Sequence, residues 1–195
     1  MANQNGEKYG FTGLFPIKDG QTAALRAFLR TLDEKYPRGS PLAEVSVVHM
    51  ARFVVIDRLA YQGTPAKVDT LKSNYLLFAC DFDGFSIDVL IREMVAHIPD
   101  QLKTIWQNCR GFPGIESRDG LSRYFEQCQV TTNLLLADQP DATVNDILLG
   151  LMYRRGLGEF IRHVQETQPT PAELKEDFAK LWQRLQEVRP HAGDL

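Results

Sequence analysis

The stretch YLLFACDFDGFSID, residues 75–88, decides how this chain can fold. Its opening run is apolar apart from Asp81 and Asp83, which is typical of a strand that enters a core. The pair Asp83-Gly84 is typical of a turn, because glycine tolerates a positive φ. Ser86 is then a suitable N-cap for a helix. We therefore predict a strand that ends in a turn and passes directly into a helix.

The same reasoning predicts the other elements along the chain. Alternation or β-branched residues predict four strands, at residues 9–17, 45–57, 74–82 and 129–137. A helix follows Gly20, with an apolar stripe formed by Leu25, Phe28, Leu29, Leu32 and Tyr36. Further helices are predicted at residues 86–97, from residue 100, at 121–127, after Thr143 and after Thr170. The last two begin with capping-box sequences.

This order of elements, β-α-β-β-α-β with added helices, predicts an α+β fold of the ferredoxin-like, split βαβ type. The sheet would be four-stranded and antiparallel, with extra C-terminal helices. We expect residues 1–168 to form this domain. Residues 169–195 would form a C-terminal helix and tail that pack on the domain or on a second subunit. The 58–73 segment shows no clear period and is expected to be a long loop, of the kind that often forms a lid.

Both faces of the central strands are apolar in the sequence. On the second strand, alternation places His49 on one face and Arg52 on the other, each among apolar neighbours. A sheet with one face in water should alternate apolar and polar residues, and this one does not. We therefore predict that helices cover one face and that a second sheet, or the C-terminal helices, covers the other. A second sheet would come from a homodimer.

In element order and strand character, residues 9–137 resemble the dimeric α+β-barrel proteins. These include dye-decolorising haem peroxidases, chlorite dismutase-like proteins and small cofactor-free monooxygenases. The stretches VVHMARFVVID, YLLFACDFDG and IWQNCRGFPG also look like a set of uncharacterised bacterial proteins. The resemblance implies sheet-to-sheet pairing and a small-molecule site, with haem as one cofactor to consider. The peroxidase Gly-x-x-Asp-Gly motif is incomplete here, since CDFDG keeps only Asp83-Gly84.

A second resemblance concerns LLFACDFDGFS, which is similar to the first motif of haloacid-dehalogenase-like phosphatases. That similarity implies Asp81 as nucleophile and Asp83 as acid/base, with magnesium at the phosphate. The motif departs where Phe85 replaces the family's threonine. Downstream, no predicted strand ends in Ser/Thr followed by a suitably placed Lys, and a later acidic pair for metal binding is missing. Turn chemistry explains the same residues.

Titratable and polar residues near the predicted strands and loops supply the candidate site. The catalytic candidates are His49, Arg52, Asp81 and Asp83. The cofactor-binding candidates are His49, Trp106, Arg110 and Asn133. A histidine in an apolar strand can transfer protons or bind haem, although such a side chain is more often bonded to the backbone. Trp106 on a helix face is more often a core residue. No histidine spacing predicts a metal site.

The composition limits the partners. The formal net charge of -3, without a dense basic cluster, argues against nucleic acid or an anionic membrane as a partner. Three cysteines without a Cys-x-x-Cys pair predict reduced thiols and a cytoplasmic protein. The sequence thus favours a small-molecule-binding barrel protein, in one version an oxidoreductase with haem or without a cofactor. The alternatives are a non-catalytic interaction or regulatory protein and a phosphatase-like hydrolase.

Overall fold

The structure is a computed structural model that describes residues 3–35, 40–61, 63–65 and 70–191. Its strands are β1 Gln4–Asn5, β2 Lys8–Pro16, β3 Val48–Ile56 and β4 Tyr75–Asp83. Its α-helices are α1 Thr22–Lys35, α2 Ile87–His97, α3 Pro99–Trp106, α4 Arg118–Cys128, α5 Val144–Thr167 and α6 Pro171–Glu187. A short 3-10 helix covers Pro41–Glu44. The predicted α+β class is confirmed.

The four strands form one open antiparallel sheet in the order β1-β2-β4-β3. The pairing of β2 with β4 runs over the full length of both strands, from Lys8 opposite Asp83 to Pro16 opposite Tyr75. The four-stranded antiparallel sheet predicted from the sequence is therefore confirmed. The strands at residues 9–17, 45–57 and 74–82 were also placed correctly, to within a few residues at each end.

One face of the sheet carries the hydrophobic core. Phe11 and Phe15 on β2 lie beside Phe78 on β4, and all three are almost fully buried. Trp106 of α3 meets the rings of Phe15 and Phe78 edge-on, at centroid distances of 5.7 and 5.2 Å. Helices α1 to α4 supply the other side of this core, through Leu25, Leu90, Ile91, Leu102, Leu121 and Phe125. The prediction that helices cover one face is confirmed.

The second face is not covered within the chain over most of its area. It is formed by alternate residues of the three long strands, and we call it the open face: Thr12, Leu14, Met50, Arg52, Val54, Leu77, Ala79 and Asp81. Met50 is 65% exposed and Val54 is 44% exposed. The C-terminal helices do not lie on this face, because α5 and α6 pack mainly against each other. That part of the prediction is wrong for the single chain.

A β-bulge at His49 corrects the predicted faces of β3. Val48 pairs with Phe82 and Met50 pairs with Asp81, so His49 is an extra residue between two consecutive partners. Strict alternation would have pointed His49 into the core. A bulge instead re-aims the side chain, and the imidazole contacts Asp83 at the open face.

The predicted fourth strand at residues 129–137 is wrong. The structure has a single bridge there, between Gln129 and Gly13, and the fourth strand is the two-residue β1. β1 occupies the edge of β2 beside Tyr9, so the later segment cannot pair along it. The segment instead satisfies its backbone through side chains, for example Thr132 N–H donating to Asn3 Oδ1 at 2.8 Å.

The helix starts agree with the capping signals. Thr143 with Asp146 and Thr170 with Glu173 both form complete capping boxes. Ser86 is the N-cap of α2, as predicted, although its side chain makes no capping hydrogen bond. Gly84 has φ +144, as expected of a glycine turn. Tyr36 and parts of the 58–73 loop lie outside the described residues.

Helices α5 and α6 form an antiparallel hairpin that we call the arm, residues 144–191. Of α5 only Val144 is buried, and of α6 only Leu181 and Leu185. Gly156 brings the helices together, because a Cβ added there would lie 3.0 Å from Leu185 Cδ2. This glycine does not break α5, which is one continuous helix. None of the helices in the described parts of the chain is long and apolar enough to cross a membrane.

The core face generates a stability prediction. Leu76→Ala removes a fully buried side chain of β4, and we expect it to lower the free energy of unfolding by about 2–5 kcal/mol. Leu134→Ala is the control, because Leu134 is 82% exposed, and we expect a change within about 0.5 kcal/mol. Urea denaturation followed by circular dichroism measures both. Equal losses in the two variants would contradict the burial of Leu76 in the core.

Candidate functional site

A cluster of polar side chains lies at one end of the sheet, around the carboxylate of Asp83. Its Oδ1 accepts a hydrogen bond from Lys8 Nζ at 2.7 Å and contacts His49 Nε2 at 2.6 Å. Its Oδ2 accepts the backbone N–H of Val144 at 2.8 Å. Lys8 Nζ also donates to the carbonyl of Ala142. The carboxylate thus joins β2, β3, β4 and the start of α5.

Strand register explains why these groups meet. Lys8 and Asp83 are directly opposite each other at the ends of β2 and β4. The bulge turns His49 to the same place from β3. Helix α5 begins at Val144, so its first free N–H points at the carboxylate, and a negative charge is favourable at a helix N-terminus.

The electrostatics favour an ionised Asp83. Burial raises the pKa of Asp83, but the hydrogen bonds from Lys8, Val144 N–H and His49 outweigh it, so this pKa lies below its ordinary value. An ionised carboxylate is acceptor-only, so Nε2 of His49 carries the proton of the shared hydrogen bond. The other ring nitrogen, Nδ1, has no hydrogen-bond partner among the described residues.

Asp81 is two residues away on the same strand but is held differently. None of the described side chains donates a hydrogen bond to it. Burial raises the pKa of Asp81, and the charges of His49 and Arg52 offset this rise only in part. Two neighbouring carboxyls thus have pKa values shifted in opposite directions, which is an arrangement typical of acid–base sites.

The polar cluster lies next to an apolar surface on the open face. The Arg52–Ala79–Thr12 row comes after Asp81, and the Val54–Leu77–Leu14 row comes next. On the other side, Leu135 lies over Gly10, where an added Cβ would come within 3.0 Å of Leu135 Cδ1. Leu135 thus covers part of the cluster at one end, and exposed apolar residues of the open face adjoin the cluster at the other end.

The structure brings all four catalytic candidates together, namely His49, Arg52, Asp81 and Asp83. The remaining cofactor-binding candidates lie elsewhere. Trp106 is fully buried in the aromatic core and cannot line a pocket mouth. Arg110 is at the surface, where its Nη2 pairs with Asp19 Oδ1 at 2.6 Å. Asn133 is exposed in the segment between α4 and α5.

The cysteines do not contribute a reactive group to this cluster. All three are free thiols. Burial raises the pKa of Cys80, and it raises that of Cys109 to about 12. Both are therefore protonated near neutral pH, and the thiolate is the reactive form. Cys80 and Cys109 are part of the hydrophobic core, where they act as small apolar residues.

Lys8 is the member of the cluster that sequence reasoning missed. Only 5% of this residue is exposed, which is unusual for a lysine without a partner. A signal was available in the strand sequences. When KYGFTGLFP is aligned antiparallel to YLLFACDFD over their full length, Lys8 falls opposite Asp83. An opposite charge pair at the end of two apolar strands indicates that register.

Nothing in the arrangement of the described residues points to haem. His49 already uses Nε2 in its contact with Asp83. His97 lies exposed on α2, 3.6 Å from Glu93, and His163 lies exposed on the arm. In the described part of the chain, no group of three or more His, Cys, Asp or Glu side chains is placed to hold a metal ion.

Comparison with known proteins adds no assignment. No family model, no curated protein and no solved structure matches the chain.

The two aspartates generate a paired prediction. We expect Asp83→Asn to lower the free energy of unfolding at pH 7 by about 1–3 kcal/mol, because Lys8 would lose its counter-ion. We expect Asp81→Asn to leave that free energy unchanged or raise it, because the fold disfavours the ionised form of this carboxyl. Urea denaturation of both variants at pH 7 measures whether each substitution lowers or raises the free energy of unfolding.

The pH dependence follows from the pKa directions. A lowered pKa means that Asp83 contributes stability above its unfolded-state pKa of about 3.9. That contribution is lost as the pH falls through the folded-state value. The difference between wild type and Asp83→Asn should therefore shrink in acid. Asp19→Asn is the control, since Asp19 is an exposed aspartate with one ion pair, and a similar loss there would contradict a special role for Asp83.

Proposed function

We propose that the protein binds a small, largely apolar molecule on the open face of the sheet and that His49 moves a proton to or from it. The observation that carries this proposal is the imidazole held by Asp83 at the edge of an exposed apolar strand surface. Small-molecule sites are mostly apolar, with a few polar groups that orient the ligand.

The proton chemistry rests on the orientation of His49. Asp83 fixes the tautomer through Nε2, and Nδ1 remains to accept a proton from the ligand. Asp81, with its raised pKa, is the neighbouring group suited to donate a proton. Arg52 supplies a positive charge for an oxygen on which negative charge develops.

The open face also supports a homodimer of the sheet-to-sheet kind. Strands β2, β4 and β3 lie side by side with α1 joining β2 to β3, which is the arrangement expected of a split βαβ unit. Leu14, Val54 and Leu77 form an apolar surface that needs a cover. We infer that a second copy supplies it and encloses the ligand between two sheets.

Within this proposal the cofactor-free version is favoured. The haem version has the least support, because His97 and His163 are exposed on helices and nothing in the geometry around His49 points to iron. A phosphatase at Asp81 and Asp83 also has little support, since Phe85 stands where the motif has threonine and no group of acidic side chains among the described residues is placed to hold magnesium. The barrel resemblance implies an oxidoreductase. The geometry around His49 supports a proton-transfer step within such a reaction.

The dimer is tested by charge insertion. We expect Val54→Lys to convert a dimer into a monomer, because it places a charge in the apolar interface. Sedimentation velocity at micromolar concentration measures the change. Phe85→Lys is the matched control, because Phe85 is 66% exposed in the turn after β4 and lies off the open face. A wild-type monomer, or equal dissociation of both variants, would contradict the proposed pairing.

Ligand binding is tested by nuclear magnetic resonance with a library of small aromatic and aliphatic compounds. We expect saturable shifts at the amides of Thr12, Leu77 and Val54, and at the His49 ring. His49→Gln should retain binding of the apolar body but lose any conversion of a substrate. Haemin titration is run in parallel, and we expect no saturable Soret change.

The alternative, a non-catalytic interaction protein, rests on the same open face. It predicts a dimer in which Val54 and Leu77 are fully packed, with no compound shifting their amides. A dimer without saturable binding of any compound would therefore favour that alternative over the ligand site.

A further inference from the structure

The arm carries a groove between its two helices that the proposed site does not use. A depression of about 270 Å³ has an apolar floor and a cationic rim. The apolar lining is formed by Met152, Gly156, Leu185 and Val188, and the charged lining is formed by Arg155, Arg184 and Arg189 with one carboxylate, Glu159. It adjoins a second depression along α5, of about 560 Å³, lined by residues that include Arg154, Gly158 and Arg162.

The arginines around this groove are largely unpaired. Arg155 pairs with Glu159 at 3.3 Å. Within the described residues, four others make no ion pair, namely Arg154, Arg162, Arg184 and Arg189. An arginine presents a planar fork that binds carboxylates through two hydrogen bonds. The groove therefore offers several free carboxylate-binding groups beside an apolar floor.

The charges are segregated on an arm that is neutral overall. Residues 144–191 contain seven Asp or Glu and seven Lys or Arg. Glu159 is the carboxylate that lines both depressions, where it pairs with Arg155, and on α6 Glu176 and Asp177 pair with Lys180. A uniformly charged polyanion would contact these acidic groups as well, whereas a narrow acidic segment in the groove would meet mainly the arginines.

The packing of the arm also leaves room for a third helix. Two helices with only Val144, Leu181 and Leu185 buried bury little apolar surface for their length. Ile147, Leu151 and Ile161 of α5 are exposed. An amphipathic helix laid in the groove would bury its apolar stripe on the floor, as in other helix-in-groove complexes.

We propose that the groove of the arm binds an acidic amphipathic helix of a partner protein. Its carboxylates pair with Arg155, Arg184 and Arg189, and its apolar side chains pack on Met152 and Leu185. This interaction surface is separate from the cluster around Asp83, so its test is independent of the proposed function.

The test uses the full chain and a fluorescein-labelled synthetic peptide with leucine at helical spacing and glutamate elsewhere. Fluorescence anisotropy should show saturable binding that weakens as salt is added. A matched peptide with lysine in place of glutamate should bind at least about tenfold more weakly, which corresponds to about 1.4 kcal/mol. Equal binding of the two peptides, or no saturation with either, overturns the proposal.

Charge and shape are then separated by variants. Arg184→Glu and the milder Arg184→Gln should weaken binding of the acidic peptide, the first by about tenfold or more. Arg30→Glu is the control, since Arg30 is an exposed helical arginine outside the arm, and it should change nothing. Gly158→Leu should weaken binding by filling the second depression, because an added Cβ there meets nothing within 4 Å. Equal effects of Arg184→Glu and Arg30→Glu would overturn the proposal.

Competing polyanions complete the test. A dT20 oligonucleotide and phosphatidylserine vesicles are titrated against the chain under the same conditions. Binding of either that is tighter than that of the peptide, and lost in Arg184→Glu, would overturn the assignment to an acidic helix. Weak binding that is insensitive to Arg184→Glu supports it.

Discussion

The full-length pairing of β2 with β4 is the constraint on which the rest of the structure depends. Side chains alternate across these strands, so the register that buries Phe11 and Phe15 beside Phe78 also places Lys8 opposite Asp83. A slip of one residue would reverse both faces. The core and the polar cluster are therefore two consequences of one set of backbone hydrogen bonds.

Two aspartates on one strand show how neighbouring groups, more than residue type, decide the role of a carboxyl. Asp83 receives three donors from three different elements and is held ionised. Asp81 points to the same face, but burial dominates its surroundings. The contrast arises because β4 ends where α5 begins, so only Asp83 lies within reach of the helix N-terminus.

Much of the fold could be predicted because local signals agree with the tertiary structure. The capping boxes at Thr143 and Thr170, the glycine turn after β4 and the three long strands all depend on residues close in sequence. The bulge at His49 could not be predicted, because it depends on how β3 pairs with β4 and does not change the pattern of residues along the sequence. The strand expected at residues 129–137 failed for a related reason. Its sequence suits a strand, but β1 occupies part of the edge it would need.

The bulge at His49 has a further consequence for the behaviour of the chain in concentrated solution. β3 is the outermost strand of the sheet, so its outer backbone groups have no strand partner within the described residues. Such an edge invites strands of other molecules to add to it and can seed aggregation. The extra residue interrupts that regular row, and the charged Arg52 lies two residues beyond Met50. The irregularity that turns an imidazole toward a carboxylate thus also protects the sheet from uncontrolled growth.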